Sequence, residues 1–156
     1  MSIPTRETTF GTLKYEGKTY KIFSVPIGEQ QSQMIKEFKK AHNYGYSSAP
    51  WIFNIYEWEI EDNKLFLTNV GSVLAPDDRE YSILQEVFGT DKLLADWYNI
   101  NIKALVEKID EQYITSDLKE CSRKILRFRF ENGILESVKD EIEVYRMKVL
   151  KNYVED

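Results

Sequence analysis

Cysteine and histidine are nearly missing from this 156-residue chain, which has Cys121 and His42 and no others. A single cysteine excludes an intramolecular disulfide, and one thiol with one imidazole cannot assemble a zinc site of the usual ligand types. Proline (four) and glycine (seven) are also scarce, while 42% of residues are hydrophobic and 13% aromatic. That balance argues against disorder and for a core rich in aromatic side chains. No apolar run approaches the roughly 18 residues of a membrane span, and nothing near Met1 has the charged-then-apolar pattern of a secretory leader. A single domain over residues 1–156 is expected, loose through residue 9, in the reducing cytoplasm and without a membrane partner. Gly-rich phosphate loops, a Ser-centred elbow and HExxH are all missing. No metal, flavin, nucleotide or haem cofactor and no hydrolytic triad is therefore expected.

Basic residues are depleted where acids concentrate. The net charge is −5, yet residues 1–50 hold seven bases and four acids, whereas residues 51–100 hold three bases and ten acids. An acidic middle third disfavours nucleic acid, whose binding depends on Lys and Arg neutralising phosphates, and favours a basic protein partner.

What is present is a strong period-two pattern. Tyr56, Trp58 and Ile60 alternate with Glu57, Glu59 and Glu61, and Leu65 and Leu67 resume the apolar face. A two-residue turn at Asp62-Asn63 sets Ile60 opposite Leu65, Trp58 opposite Leu67 and Glu61 opposite Lys64, so hydrophobic register and charge agree on one hairpin. Trp51-Ile52-Phe53 leads into it, and the pair is expected at the centre of the sheet. A first hairpin is predicted over Thr8 to Val25, turning at Glu16-Gly17. A third turns at Asn132-Gly133 between Ile125 and Leu135. Lys92 to Ile102 reads as a strand, and Ala104 to Ile114 fits helix or strand.

Helices are predicted near 29–42, from the spacing of Met34, Ile35, Phe38 and Ala41, and near 78–88, with Asp77 and Glu80 as a capping box and Gly89 as the stop. A third is predicted near 140–153, from Ile142, Tyr145, Met147, Val149 and Leu150. The fold class that follows is α+β, a predominantly antiparallel sheet built from three hairpins with two to four flanking helices.

The strings YEWEIEDNKLFL, LLADWY and ILRFRFENGIL resemble a family of small uncharacterised bacterial proteins. Its members show Trp-x-Ile, a short turn, Leu-x-Leu, an Ala-Asp-Trp-aromatic strand and a late hairpin. The resemblance spans about half the chain and implies shared strand architecture, with Trp58, Asp96 and Trp97 near one another. It brings no established activity. The chain departs from the pattern at Asn54-Ile55-Tyr56, where Arg-Gly-Tyr is expected, and at Asn99, where a Ser-Gly would follow the aromatic.

Two sites follow. Glu57, Glu59 and Glu61 share one strand face beside Asp62, and such a face is either solvated or docks a basic surface. Alternatively Tyr56, Trp58, Asp96 and Trp97 could line a pocket in which one acid among aromatics orients a polar ligand. His42 at a helix end is read as a surface cap, Cys121 as a spectator thiol, and Arg127 and Arg129 as partners of glutamates or of phosphate. The sequence thus points to a non-catalytic bacterial binding protein, of the immunity or inhibitor kind, that neutralises a toxin by occlusion. The alternative is a small-molecule binder or small enzyme centred on Asp96.

Overall fold

Positive backbone angles mark where the chain reverses. In the computed structural model, which describes residues 11–41, 54–72 and 81–149, Glu16 and Gly17 (φ 50° and 81°) join β1 (Gly11–Tyr15) to β2 (Lys18–Ile22). Asp62 and Asn63 (φ 53° and 61°) join β3 (Asn54–Glu61) to β4 (Lys64–Ser72), and Asn132 and Gly133 (φ 51° and 78°) join β8 (Leu118–Glu131) to β9 (Ile134–Lys148). Two consecutive residues at positive φ give the turn whose twist matches that of paired strands, and Asn, Asp and Gly reach it at least cost. Registers follow as the sequence requires: Leu13 faces Tyr20, Trp58 faces Leu67, Ile60 faces Leu65 and Glu61 faces Lys64.

The sheet is mixed and closes on itself as a barrel. β1 pairs β2 antiparallel and β3 in parallel, β2 pairs β7 (Asn101–Thr115), and β7, β8 and β9 run antiparallel to one another. β9 returns to β4, and β4 to β3. Two short strands, β5 (Tyr81–Ser82) and β6 (Leu93–Leu94), also pair with β4. Leu13, Ile22, Trp58, Leu65, Leu67, Ile102, Phe128 and Phe130 fill the interior, each at most 1% exposed. Helix α1 (Glu29–Ala41) adds Ile35 and helix α2 (Leu84–Phe88) adds Leu84 to the same core. This is the expected α+β class, with two helices among the described residues.

Three expectations need correction, and the open choice between helix and strand at Ala104 to Ile114 falls to strand. The C-terminal helix is strand β9: Glu141, Glu143, Tyr145 and Met147 turn to the more covered face while Ile142, Val144 and Arg146 stay exposed, a period of two. Ala104 to Ile114 belongs to β7. The strand expected over Lys92 to Ile102 is broken: β6 covers Leu93–Leu94, the chain turns at Asp96-Trp97, and only Asn101 and Ile102 are strand again, as the start of β7. The helix expected over 78–88 begins, in its described part, at Leu84, because Tyr81-Ser82 extends the sheet beside β4. Its N-cap is Ile83, without a side-chain cap, while Gly89 does end it with φ 73° and an N–H donated to the Gln85 carbonyl. Residues 1–10, the Trp51-Ile52-Phe53 run, His42 and the Asp77/Glu80 box lie outside the described residues, as does the end of the chain from residue 150.

Candidate functional site

The pleat of β3 sends Tyr56, Trp58 and Ile60 inward, each under a tenth exposed, and Glu57, Glu59 and Glu61 outward. The outward carboxylates are not equivalent. Glu57 accepts a hydrogen bond from Asn69 Nδ2 at 3.0 Å, which fastens it to β4. Lys92, from the segment preceding β6, reaches over the Phe66 ring at 4.7 Å and bonds Glu61, with Glu59 at 3.9 Å. The hydrogen bond to Glu61 holds the Lys92 ammonium above its ordinary range. Asp62, at the turn, is exposed.

Beside this edge the parallel pairing of β1 with β3 brings the two hairpin turns together. Between them lies an open cleft of about 390 Å³, lined on one side by Lys14, Glu16 and Gly17 and on the other by Glu59, Glu61 and Asp62. Four carboxylates thus border one depression, against the Lys14 and Lys92 ammonium groups. Tyr15 and Ile60 also line it, so apolar side chains lie beside the carboxylates.

The four residues of the alternative pocket have different surroundings. Tyr56 and Trp58 stack obliquely in the core with ring centroids 6.2 Å apart, and Trp58 is 1% exposed. Asp96 is exposed at a turn, and half-buried Trp97 donates its indole N–H to the Pro26 carbonyl at 2.7 Å. The Ala95–Tyr98 turn acts as a cradle for the β8–β9 turn: Gly133 N–H bonds the Tyr98 carbonyl at 2.9 Å, and Asn132 N–H bonds Asn99 Oδ1 at 2.7 Å. A Cβ on Gly133 would strike the Ala95 carbonyl, so the approach needs glycine. Burial raises the Tyr98 hydroxyl above its ordinary range although Ser24 lowers it, and that hydroxyl donates to the Asn101 carbonyl at 2.8 Å. These contacts give the Ala-Asp-Trp-Tyr string a structural task.

Arg127 and Arg129 find their glutamates on β9. Arg127 forms a two-pronged bond with Glu141 at 2.8 and 2.9 Å, and Arg129 lies 3.7 Å from Glu136. A stronger cluster is not apparent from the sequence. Arg123, 8% exposed, is held between the Phe23 and Tyr145 rings at 4.0 and 4.2 Å and bonds Glu143, which also receives Lys103 at 2.6 Å. The signal was charge alternation at 141, 143 on one strand and 123, 127 on the next, visible only once both are known to be strands. Cys121 is buried on β8.

Among the described residues no group of three or more His, Cys, Asp and Glu is placed to hold a metal ion, and no helix is long and apolar enough to cross a membrane. No protein-family model, curated protein or solved structure matches the chain.

Proposed function

We propose that this chain is a cytoplasmic protein-binding protein of the immunity or inhibitor kind, which neutralises a bacterial toxin by covering its working surface. The observation that carries the reading is the cleft between the two hairpin turns, where Glu16, Glu59, Glu61 and Asp62 surround Tyr15 and Ile60. Toxins that cut nucleic acid need Lys and Arg to neutralise phosphates, and an acidic rim competes for those same side chains. Opposite charge accelerates encounter, and apolar side chains beside the carboxylates supply the desolvated contact that slows release. The turns offering these groups are fixed by strand pairing on both sides, so little ordering is needed on binding.

Glu57, tied to Asn69, and the less exposed Glu59 contribute mainly to the field, while Glu61 exchanges the Lys92 ammonium for a cation of the partner. Glu16, Glu61 and Asp62, at the exposed turns, make the contacts. The test is capture of the partner from the native cell, followed by association kinetics with the purified pair. A Glu16→Lys/Glu61→Lys/Asp62→Lys variant should associate at least about tenfold more slowly, and wild-type binding should weaken as salt rises from about 50 to about 500 mM. An acidic partner, binding that strengthens with salt, or an unchanged rate in the triple variant would remove the reading.

A further inference from the structure

The three-stranded arm formed by β7, β8 and β9 has two outer edges, and they differ. Beyond its short pairing with β2 at Leu105, β7 runs along one edge with three irregularities, at Val106, Ile109 and Ile114. Bulges and the charges Glu107, Lys108, Asp110 and Glu111 are the usual means of blunting an edge against added strands. β9 forms the other edge. It pairs with β4 at the single bridge of Ile134 with Lys64, and among the described residues no strand pairs with it from Glu136 to Lys148 on that side. From Ser137 to Lys148 its register with β8 is unbroken, and it contains no proline or glycine. One face of this regular edge is exposed, with the apolar Ile142 and Val144 at 69% and 61%.

That face is self-complementary. Read along the strand it runs Asp140, Ile142, Val144, Arg146. Laid antiparallel against itself about Glu143, it sets Asp140 opposite Arg146, Ile142 opposite Val144, Val144 opposite Ile142 and Arg146 opposite Asp140. We propose that the outer edge of β9 pairs with the same edge of a second copy of this chain, antiparallel, about a two-fold axis at Glu143. Neighbouring registers are poorer: centring on Val144 puts Ile142 against Arg146, and centring on Ile142 puts Asp140 against Val144. Directly opposed pairs carry the stabilisation of an antiparallel ladder, so this register is selected by both charge and packing. A two-fold contact requires the same patch on both subunits, which a palindromic strand satisfies.

On the opposite face the axis brings the two Glu143 carboxylates together. Each is already bonded by its own Arg123 and Lys103, which offsets the repulsion. Glu141 then faces Tyr145, and Lys139 faces Met147. Arg146 lies 3.7 Å from Glu120 on its own arm, both exposed, and from there can also meet the second copy's Asp140. Seven paired residues span roughly 20 Å at about 3.4 Å each, a smaller interface than the standard roughly 1,600 Å². The pairing should therefore be reversible, with a midpoint in the micromolar range.

Sedimentation velocity of the full chain from about 1 to about 500 µM tests the proposal over the range where such interfaces assemble. The 18.4 kDa chain should shift toward twice that mass. Asp140→Arg alone and Arg146→Asp alone each set like charges opposite one another and should raise the midpoint at least about tenfold. An equimolar mixture of the two variants should recover the dimer as a heterodimer, and the doubly substituted chain should recover it with itself. Both positions are exposed, and the recoveries show that the singly substituted chains fold. A wild-type chain that stays monomeric throughout, a dimer indifferent to both single reversals, or variants that fail to recover when mixed would overturn it.

Discussion

Arg123 shows how this fold tolerates a buried charge. Its guanidinium lies between two aromatic faces, Phe23 and Tyr145, and donates through Nε and Nη2 to Glu143 Oε1 at 2.8 and 2.5 Å. Planarity makes the stacking and the fork compatible, which a lysine ammonium could not reproduce. Burial alone would raise the Glu143 carboxyl, but the bonds from Lys103 and Arg123 outweigh it and hold the group below its ordinary value of 4.5. A carboxyl depressed in the folded state adds stability that is present above the unfolded value and is lost as pH falls through the folded one. Glu143→Gln, in dilute solution, should therefore cost about 2 kcal/mol near neutral pH, the scale of a hydrogen bond to a charged group. Urea titrations should show the gap between variant and wild type closing below about pH 4.5. A gap that persists undiminished to about pH 3 would mean that shape, and not ionisation, sets the contribution.

At the scale of elements, turns that need positive φ were legible and the turn that does not was missed. Asp62-Asn63 and Asn132-Gly133 advertise their geometry through residue type, and the hairpins follow in the register that alternation demanded. The β7–β8 hairpin turns at Ser116-Asp117 without positive φ, next to the irregularity at Ile114, so neither glycine nor asparagine marks it. β9 reads as a helix in the sequence for a related reason. Ile142 and Val144 point to solvent while Tyr145 and Met147 point to cover, so apolar residues lie on both faces and Ile142 and Tyr145 imitate helical spacing. Sequence periodicity assumes that apolar means inward, and a strand with an exposed apolar face breaks that assumption. Of the candidate site, the outward glutamates could be read directly from the pleat. Their attachment to Asn69 and Lys92, and the neighbouring Glu16 turn, depend on contacts between distant segments and could not. Two turn glycines separate conformation from packing. Gly17→Ala has open space around it and should cost about 1 to 2 kcal/mol for the left-handed angle alone. Gly133→Ala has a similar φ but strikes the Ala95 carbonyl, so about 2 to 5 kcal/mol is expected from chemical denaturation. Equal losses would show that the cradle around the β8–β9 turn yields.

The whole molecule divides by burial into a barrel and an arm. The barrel closes between β4 and β9 through few bonds: Leu65 N–H to the Gly133 carbonyl at 2.8 Å and Leu135 N–H to the Asn63 carbonyl at 2.7 Å, beside the single pair Lys64 and Ile134. Past that seam β9 leaves the barrel, and Glu143 lies nine residues beyond Ile134, roughly 30 Å along an extended strand. The acidic cleft at the Asp62-Asn63 turn and the palindromic edge are thus at opposite ends of β9, so one surface can be occupied without covering the other. Local stability follows burial, and amide exchange reports it residue by residue. Amides of buried Leu13, Trp58, Leu67, Ile102 and Phe128 should exchange only through global unfolding, whereas Glu107 to Thr115 of β7, exposed throughout and irregular, should exchange through local opening. β9 should behave differently from either. In an antiparallel ladder alternate residues direct their N–H groups outward, so within Asp140 to Arg146 alternate amides should be unprotected in dilute solution and gain protection as concentration rises. The exposed β7 amides should show no such dependence, since their edge is blunted. If both edges gained protection together, association would be nonspecific. If neither did at concentrations where the chain sediments as a dimer, the contact would lie elsewhere on the molecule.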